Sequence, residues 1–188
     1  MPSHTRCPKC GAHLGPSRVR GEGPWNQGWR AGLSSNQQFV PRGDLEGDVL
    51  TPCGHIVELQ YGHLSRVDIE LRERVYGTMV WLFDACDAHR SGRLRLAMTP
   101  GREHVNFAWS RPRETLDACR RPVHLDLGES QQADGLHLVL RINRCHPKQP
   151  GRLSGSGVLY TAEAFHNWMA HGLPLTPFVS KAPAHAFA

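Results

Sequence analysis

Four side chains in the first third of the chain have the types and spacing of metal ligands. Cys7 and Cys10 flank Pro8-Lys9 and precede Gly11. Two thiolates three residues apart around a tight turn can hold one edge of a tetrahedral zinc at about 2.3 Å, and glycine tolerates the positive φ that ends such a turn. Cys53-Gly54-His55 offers the opposite edge, a thiolate and an imidazole one glycine apart. The spacing predicts one structural zinc ion held by Cys7, Cys10, Cys53 and His55, with His13 as an alternative fourth ligand. A redox dithiol is the competing chemistry of C-P-x-C. Such pairs sit at the start of a long helix that lowers the thiol pKa, whereas Cys10 leads into Gly-Ala-His-Leu-Gly-Pro, which suits no helix. Glu58 follows His55 by three residues, but four protein ligands leave no open position for water, so a structural metal is expected rather than a catalytic one.

Other chemical candidates are weaker. Cys86 with His89 and Cys145 with His146 could form a second metal site if the fold joined them, but Cys86 falls on an apolar stripe where a small buried residue is ordinary. Cys119 has no spaced partner. The twelve histidines form no H-E-x-x-H or H-x-E pattern, and no catalytic residue is assigned. Leu153-Ser-Gly-Ser-Gly157 lacks the lysine of a phosphate-binding loop and reads as a flexible turn. Seven arginines, Arg93, Arg95, Arg102, Arg111, Arg113, Arg120 and Arg121, lie close in sequence and could make a phosphate-binding surface if a sheet gathered them.

The elements that must position these residues divide the chain in three. Residues 1–62 are punctuated by glycine and show only short strand-like pieces near Gln38–Pro41, Asp48–Thr51 and Ile56–Gln60, so they are expected to form a metal-stapled module. An insertion between the half-sites, over 16–36, accounts for the 42 intervening residues. Residues 63–173 are expected to form an α+β domain. A long helix over 66–89 follows from Leu64, Val67, Leu71, Val75, Met79, Leu82 and Cys86 at spacings of three or four, with Ser65 and Asp68 as its capping box. That helix packs on a mainly antiparallel sheet of about four strands, near Arg93–Met98, 105–109, Pro122–Leu127 and Leu136–Asn143. A short helix is placed at Arg113–Cys119, and a last one at Ala162–His171 behind the cap Thr161. Residues 174–188 form an extended tail whose Phe178, Val179 and Phe187 could dock on a neighbouring subunit.

Composition narrows the classes. Only Lys9, Lys148 and Lys181 are lysines among 22 basic residues, so 19 are arginines, which suits partners that present phosphate or carboxylate. The net charge of +5 is spread along the chain, which argues against a polybasic arm. No apolar run approaches the ~20 residues of a membrane span, and the first residues carry no signal-peptide core. A cytoplasmic location, or one inside an assembly formed there, is expected.

The CPKCG and PCGH pair resembles zinc-ribbon and zinc-knuckle modules, and more narrowly small proteins encoded by phages of GC-rich actinobacterial hosts. The resemblance covers residues 5–60. It implies a metal-stapled module without chemistry of its own. The sequence is thus read as a non-enzymatic, zinc-stabilised structural or interaction protein, a virion component or an accessory protein, with other protein subunits as partners. The alternative is a nucleic-acid-binding protein that uses the arginine face.

Overall fold

The computed structural model describes residues 5–6, 13–14, 23–146 and 151–180. Two short strands, β1 (Thr5–Arg6) and β2 (His13–Leu14), pair antiparallel. Helix α1 spans Pro24–Arg30, within the segment expected to be an insertion, and Pro24 is tolerated because the first helical N–H is an orphan anyway. Strands β3 (Gln38–Arg42), β4 (Leu45–Leu50) and β5 (Ile56–Gln60) form an antiparallel meander. Helix α2 (Arg66–Tyr76) crosses over to strand β6 (Met79–Asp84), which lies parallel to β5.

After helix α3 (Cys86–Arg90) come β7 (Leu94–Met98), β8 (His104–Ser110), a 3-10 turn at Glu114–Ala118 and β9 (Val123–Ser130). Strands β10 (Leu136–Cys145) and β11 (Arg152–Thr161) and helix α4 (Ala162–His171) complete the order. Strands β3 to β11 make one nine-stranded sheet in the order β3-β4-β5-β6-β9-β10-β11-β8-β7. Only β5–β6 and β6–β9 are parallel, so the architecture is α+β with a mainly antiparallel sheet. The meander of the first 62 residues is therefore continuous, strand by strand, with the rest of the sheet.

Period-2 alternation sorts the strands onto two apolar layers. Ile56, Trp81 and Phe83 face the layer that receives Ile69 and Tyr76 of α2 and Ala88 of α3. Val57, Leu59, Val80 and Leu82 face the other, which receives Trp29 of α1 and Phe165 and Met169 of α4. Each strand of the parallel core is buried on both faces, which explains why β6 reads as an unbroken apolar run.

That run corrects the expected helix over 66–89. The capping box of Ser65 and Asp68 is present, but the helix stops at Gly77, whose φ of 65° no β-branched or bulky residue would accept readily. Met79, Leu82 and Cys86 matched a helical spacing by coincidence. Arg72 turns to Glu58 of β5 instead of pairing along its own helix. The Ser-Gly-Ser-Gly segment is likewise not a turn but the middle of β11. A Cβ on Gly155 would stand 2.0 Å from the Arg144 carbonyl oxygen, and one on Gly157 would stand 2.1 Å from that of Arg141. Glycine is required there because the β10 backbone approaches too closely for any side chain.

The start of the expected tail packs on its own chain. The Phe178 N–H donates to the Leu159 carbonyl at 2.7 Å, and its ring is half-buried against the core. Phe187 lies outside the described residues. Among the described residues no helix is long and apolar enough to cross a membrane.

Candidate functional site

Charged groups are expensive to bury, so a place where several are buried together marks chemistry or strain. Eleven polar residues are buried in the described structure, and five of them, Asn26, Arg30, Asp48, Glu58 and Gln60, belong to α1, β4 and β5. The pairing of β4 with β5 runs through Leu50↔Ile56 and Val49↔Val57 and then stops. At that point the Asp48 carboxylate takes over from the ladder, accepting the Leu59 N–H at 2.8 Å. This sets Asp48 beside the peptide unit that follows Glu58. Helix α1 closes the other side: Asn26 Nδ2 donates to the Leu59 carbonyl at 3.2 Å, and the Arg30 guanidinium stands 3.8 Å from Asp48 Oδ1.

Glu58 is fully buried, and its Oε1 accepts from Arg72 Nε at 2.8 Å. Gln60 lies two residues on, so it shares the Glu58 face of β5. Its Nε2 donates to the Gly62 carbonyl at 2.7 Å, while its Oε1 is buried without a donor among the described residues. Asp48 therefore sits with α1 on one face of the sheet, and Glu58 with Arg72 of α2 on the other. Each group reaches solvent at one member, Asp48 and Arg72, whose side chains are each 12% exposed.

A second polar centre lies on the α1/α4 side of the sheet. Asp126 of β9 is fully buried and is held by four donors. The indoles of Trp25 and Trp29 donate to Oδ2 at 2.7 and 2.8 Å, the Gly128 N–H donates to Oδ1 at 2.9 Å, and His137 Nε2 meets Oδ1 at 2.6 Å. Burial alone would raise the Asp126 carboxyl, but these bonds, led by His137, hold it below the usual range. The hydrogen bond from Asp126 conversely raises His137. A group whose folded pKa is raised stabilises fully below its unfolded value, about 6.5 for histidine, and loses that contribution as pH rises through the folded value. Melting temperatures should therefore show the wild type's advantage over His137→Gln shrinking as pH climbs above neutrality; a constant difference from pH 5 to 9 would contradict the ion pair.

Two of the four expected zinc ligands fall in the described structure. Cys7 and Cys10 lie outside the described residues, within the stretch between the paired strands β1 and β2. Cys53 is an exposed free thiol on the turn between β4 and β5. That turn is tied by Thr51, whose N–H donates to the His55 carbonyl and whose Oγ1 accepts the His55 N–H. His55 Nδ1 is buried with no partner among the described residues. Among those residues no group of three or more His, Cys, Asp or Glu side chains is arranged to hold a metal.

Cys86, His89, Cys145 and His146 make no such group either. Cys86 has its thiol pushed far up by burial beside Asp126 and Asp84, so it stays protonated. Burial likewise lifts Cys119 to about 12.

The seven arginines divide as well. Arg93, Arg111 and Arg113 line one cavity of about 470 Å³. Arg95 and Arg102 are exposed elsewhere, and the backbone N–H groups of Arg120 and Arg121 both donate to Glu73 Oε1.

Sequence reasoning passed over Asp48, Gln60, Asp126 and His137, and weighed Glu58 only against the zinc. The available signal was local: Val57-Glu58-Leu59-Gln60 places polar residues alternately in a strand that reads as core, and Asp126 is a lone carboxylate between leucines. No family model, no curated protein and no solved structure matches this chain.

Proposed function

We propose that this protein binds nucleic acid, without chemistry of its own, on the surface where Arg93, Arg111 and Arg113 line one cavity. The observation that carries the reading is the gathering of these three guanidinium groups beside Tyr61, which lines the same cavity and is 58% exposed. Guanidinium groups match the oxygens of phosphate, and an exposed aromatic ring gives a base a face to stack on. The net charge of +5 favours a polyanion over a neutral partner.

The test is fluorescence anisotropy of labelled single-stranded DNA, duplex DNA and RNA at increasing salt. Binding by the wild type that weakens steeply with salt, and that is reduced several-fold for the single strands in Tyr61→Ala, supports the reading. No binding to any of the three would remove it in favour of the other reading, a zinc-stabilised structural or interaction protein of a phage, in the virion or as an accessory.

The structural zinc is a separate proposal that fits either reading. Its support is that Cys53 and the unpartnered Nδ1 of His55 sit on one short turn, and that β1 and β2 pair on either side of Cys7 and Cys10. Elemental analysis should find one zinc per wild-type chain and none in Cys53→Ala, with a lower melting temperature in the variant. A wild type free of zinc, purified without chelator, ends that proposal.

A further inference from the structure

The cavity of about 470 Å³ at the ends of β5 and β6 is lined by Tyr61, Asp84, Arg93, Trp109, Arg111 and Arg113, among others. Its charge is not balanced from within. Asp87, also in the wall, is already paired with Arg90. Arg113 is anchored by two neutral acceptors, with Nη1 donating to the Gly62 carbonyl and Nη2 to the Asp84 carbonyl, each at 2.8 Å. Arg93 donates its Nε to Ser91 Oγ at 3.1 Å. That leaves Asp84 as the carboxylate facing three guanidinium groups. Trp109 is 3% exposed, and its indole N–H has no acceptor among the described residues.

Arg111 adds an independent sign. Its φ is 55°, a left-handed conformation that costs a non-glycine residue about 1 kcal/mol or more and persists where the surroundings impose it. The Arg111 N–H donating to the Gly151 carbonyl at 2.8 Å is what imposes it here. The residue is thereby turned to the cavity mouth, exposed and free of any carboxylate partner in the described structure. Guanidinium groups present paired donors that match the oxygens of a phosphate.

We infer that this cavity is a phosphate-binding subsite, in which Arg93, Arg111 and Arg113 hold one backbone phosphate of the bound nucleic acid. The inference rests on the proposed function for the identity of the ligand, and it deepens that reading by placing the phosphate. Tyr61 lines the same cavity, so a base next to that phosphate lies at its ring.

The probe is a fluorescein-labelled 20-base-pair DNA duplex. Arg93→Gln/Arg111→Gln alters exposed and half-exposed side chains, so it should melt within a few degrees of the wild type. Its dissociation constant should rise about 10- to 100-fold at physiological salt, and the slope of log affinity against log salt should fall by about two, roughly one per arginine removed. Arg95→Gln/Arg102→Gln, which lies outside the cavity, should change binding far less. Equal losses in the two double variants, or unchanged binding in the first, would overturn the inference and leave nucleic-acid binding in place. No binding by the wild type would end both.

Discussion

Glu58→Ala is expected to destabilise the protein by about 3 kcal/mol, on the scale of deleting one partner of a buried ion pair. Glu58 is fully buried, and its Oε1 accepts from Arg72 Nε at 2.8 Å. Alanine would leave the Arg72 guanidinium, only 12% exposed, without that acceptor. Glu58→Gln keeps an acceptor for Arg72 Nε, so it should lose less. Urea unfolding checks both variants. A loss below about 1 kcal/mol for the alanine variant would mean that Arg72 finds another acceptor.

The largest effect on stability should come from Asp126→Ala. Four donors converge on this fully buried carboxylate, and two of them belong to the indoles that seat helix α1 on the sheet. Alanine would leave the Trp25, Trp29 and Gly128 N–H groups without an acceptor and the raised His137 without its counter-charge. Unsatisfied buried donors cost about 1–3 kcal/mol each, and losses around one shared acceptor do not add fully. A destabilisation of about 3–5 kcal/mol is the expected outcome in urea unfolding, with Trp25 and Trp29 fluorescence shifting to the red as the indoles gain water. Asp126→Asn can accept from one side only and should fall between. A loss below about 1 kcal/mol for the alanine variant would mean that the indoles find other partners.

Much of the sheet was legible because its local signals agree. Ile56–Gln60 begins and ends where the alternation and flanking glycines put it, and α4 starts at its Thr161 cap, where the hydroxyl accepts the Ala164 N–H. The last helix turn ends at Gly172 in the left-handed region. Where local signals were ambiguous the reading slipped. Met79–Phe83 fits a helix stripe and a two-faced strand equally well, and only the parallel neighbours β5 and β9 decide between them. Gly155 and Gly157 look like a hinge in one dimension, although the reason for them is the β10 backbone on the next strand.

The site was less legible than the fold. Asn26, Asp48, Glu58 and Gln60 come from a short helix and two strands, and no spacing rule links them before the meander folds. The arginines show the same limit. Arg93, Arg111 and Arg113 meet in one cavity because β7 and β8 pair and the segment after β8 returns to the tip of β6. Arg95, two residues on from Arg93, is exposed outside that cavity.

Nucleic-acid binding through the cavity of Arg93, Arg111 and Arg113 is checked by the affinity of a fluorescein-labelled duplex between about 50 and 200 mM salt, for the wild type and for Arg93→Gln/Arg111→Gln. Wild-type binding should weaken steeply with salt, with a slope of log affinity against log salt larger by about two than that of the variant. No binding by the wild type, or equal slopes in the two proteins, would contradict it.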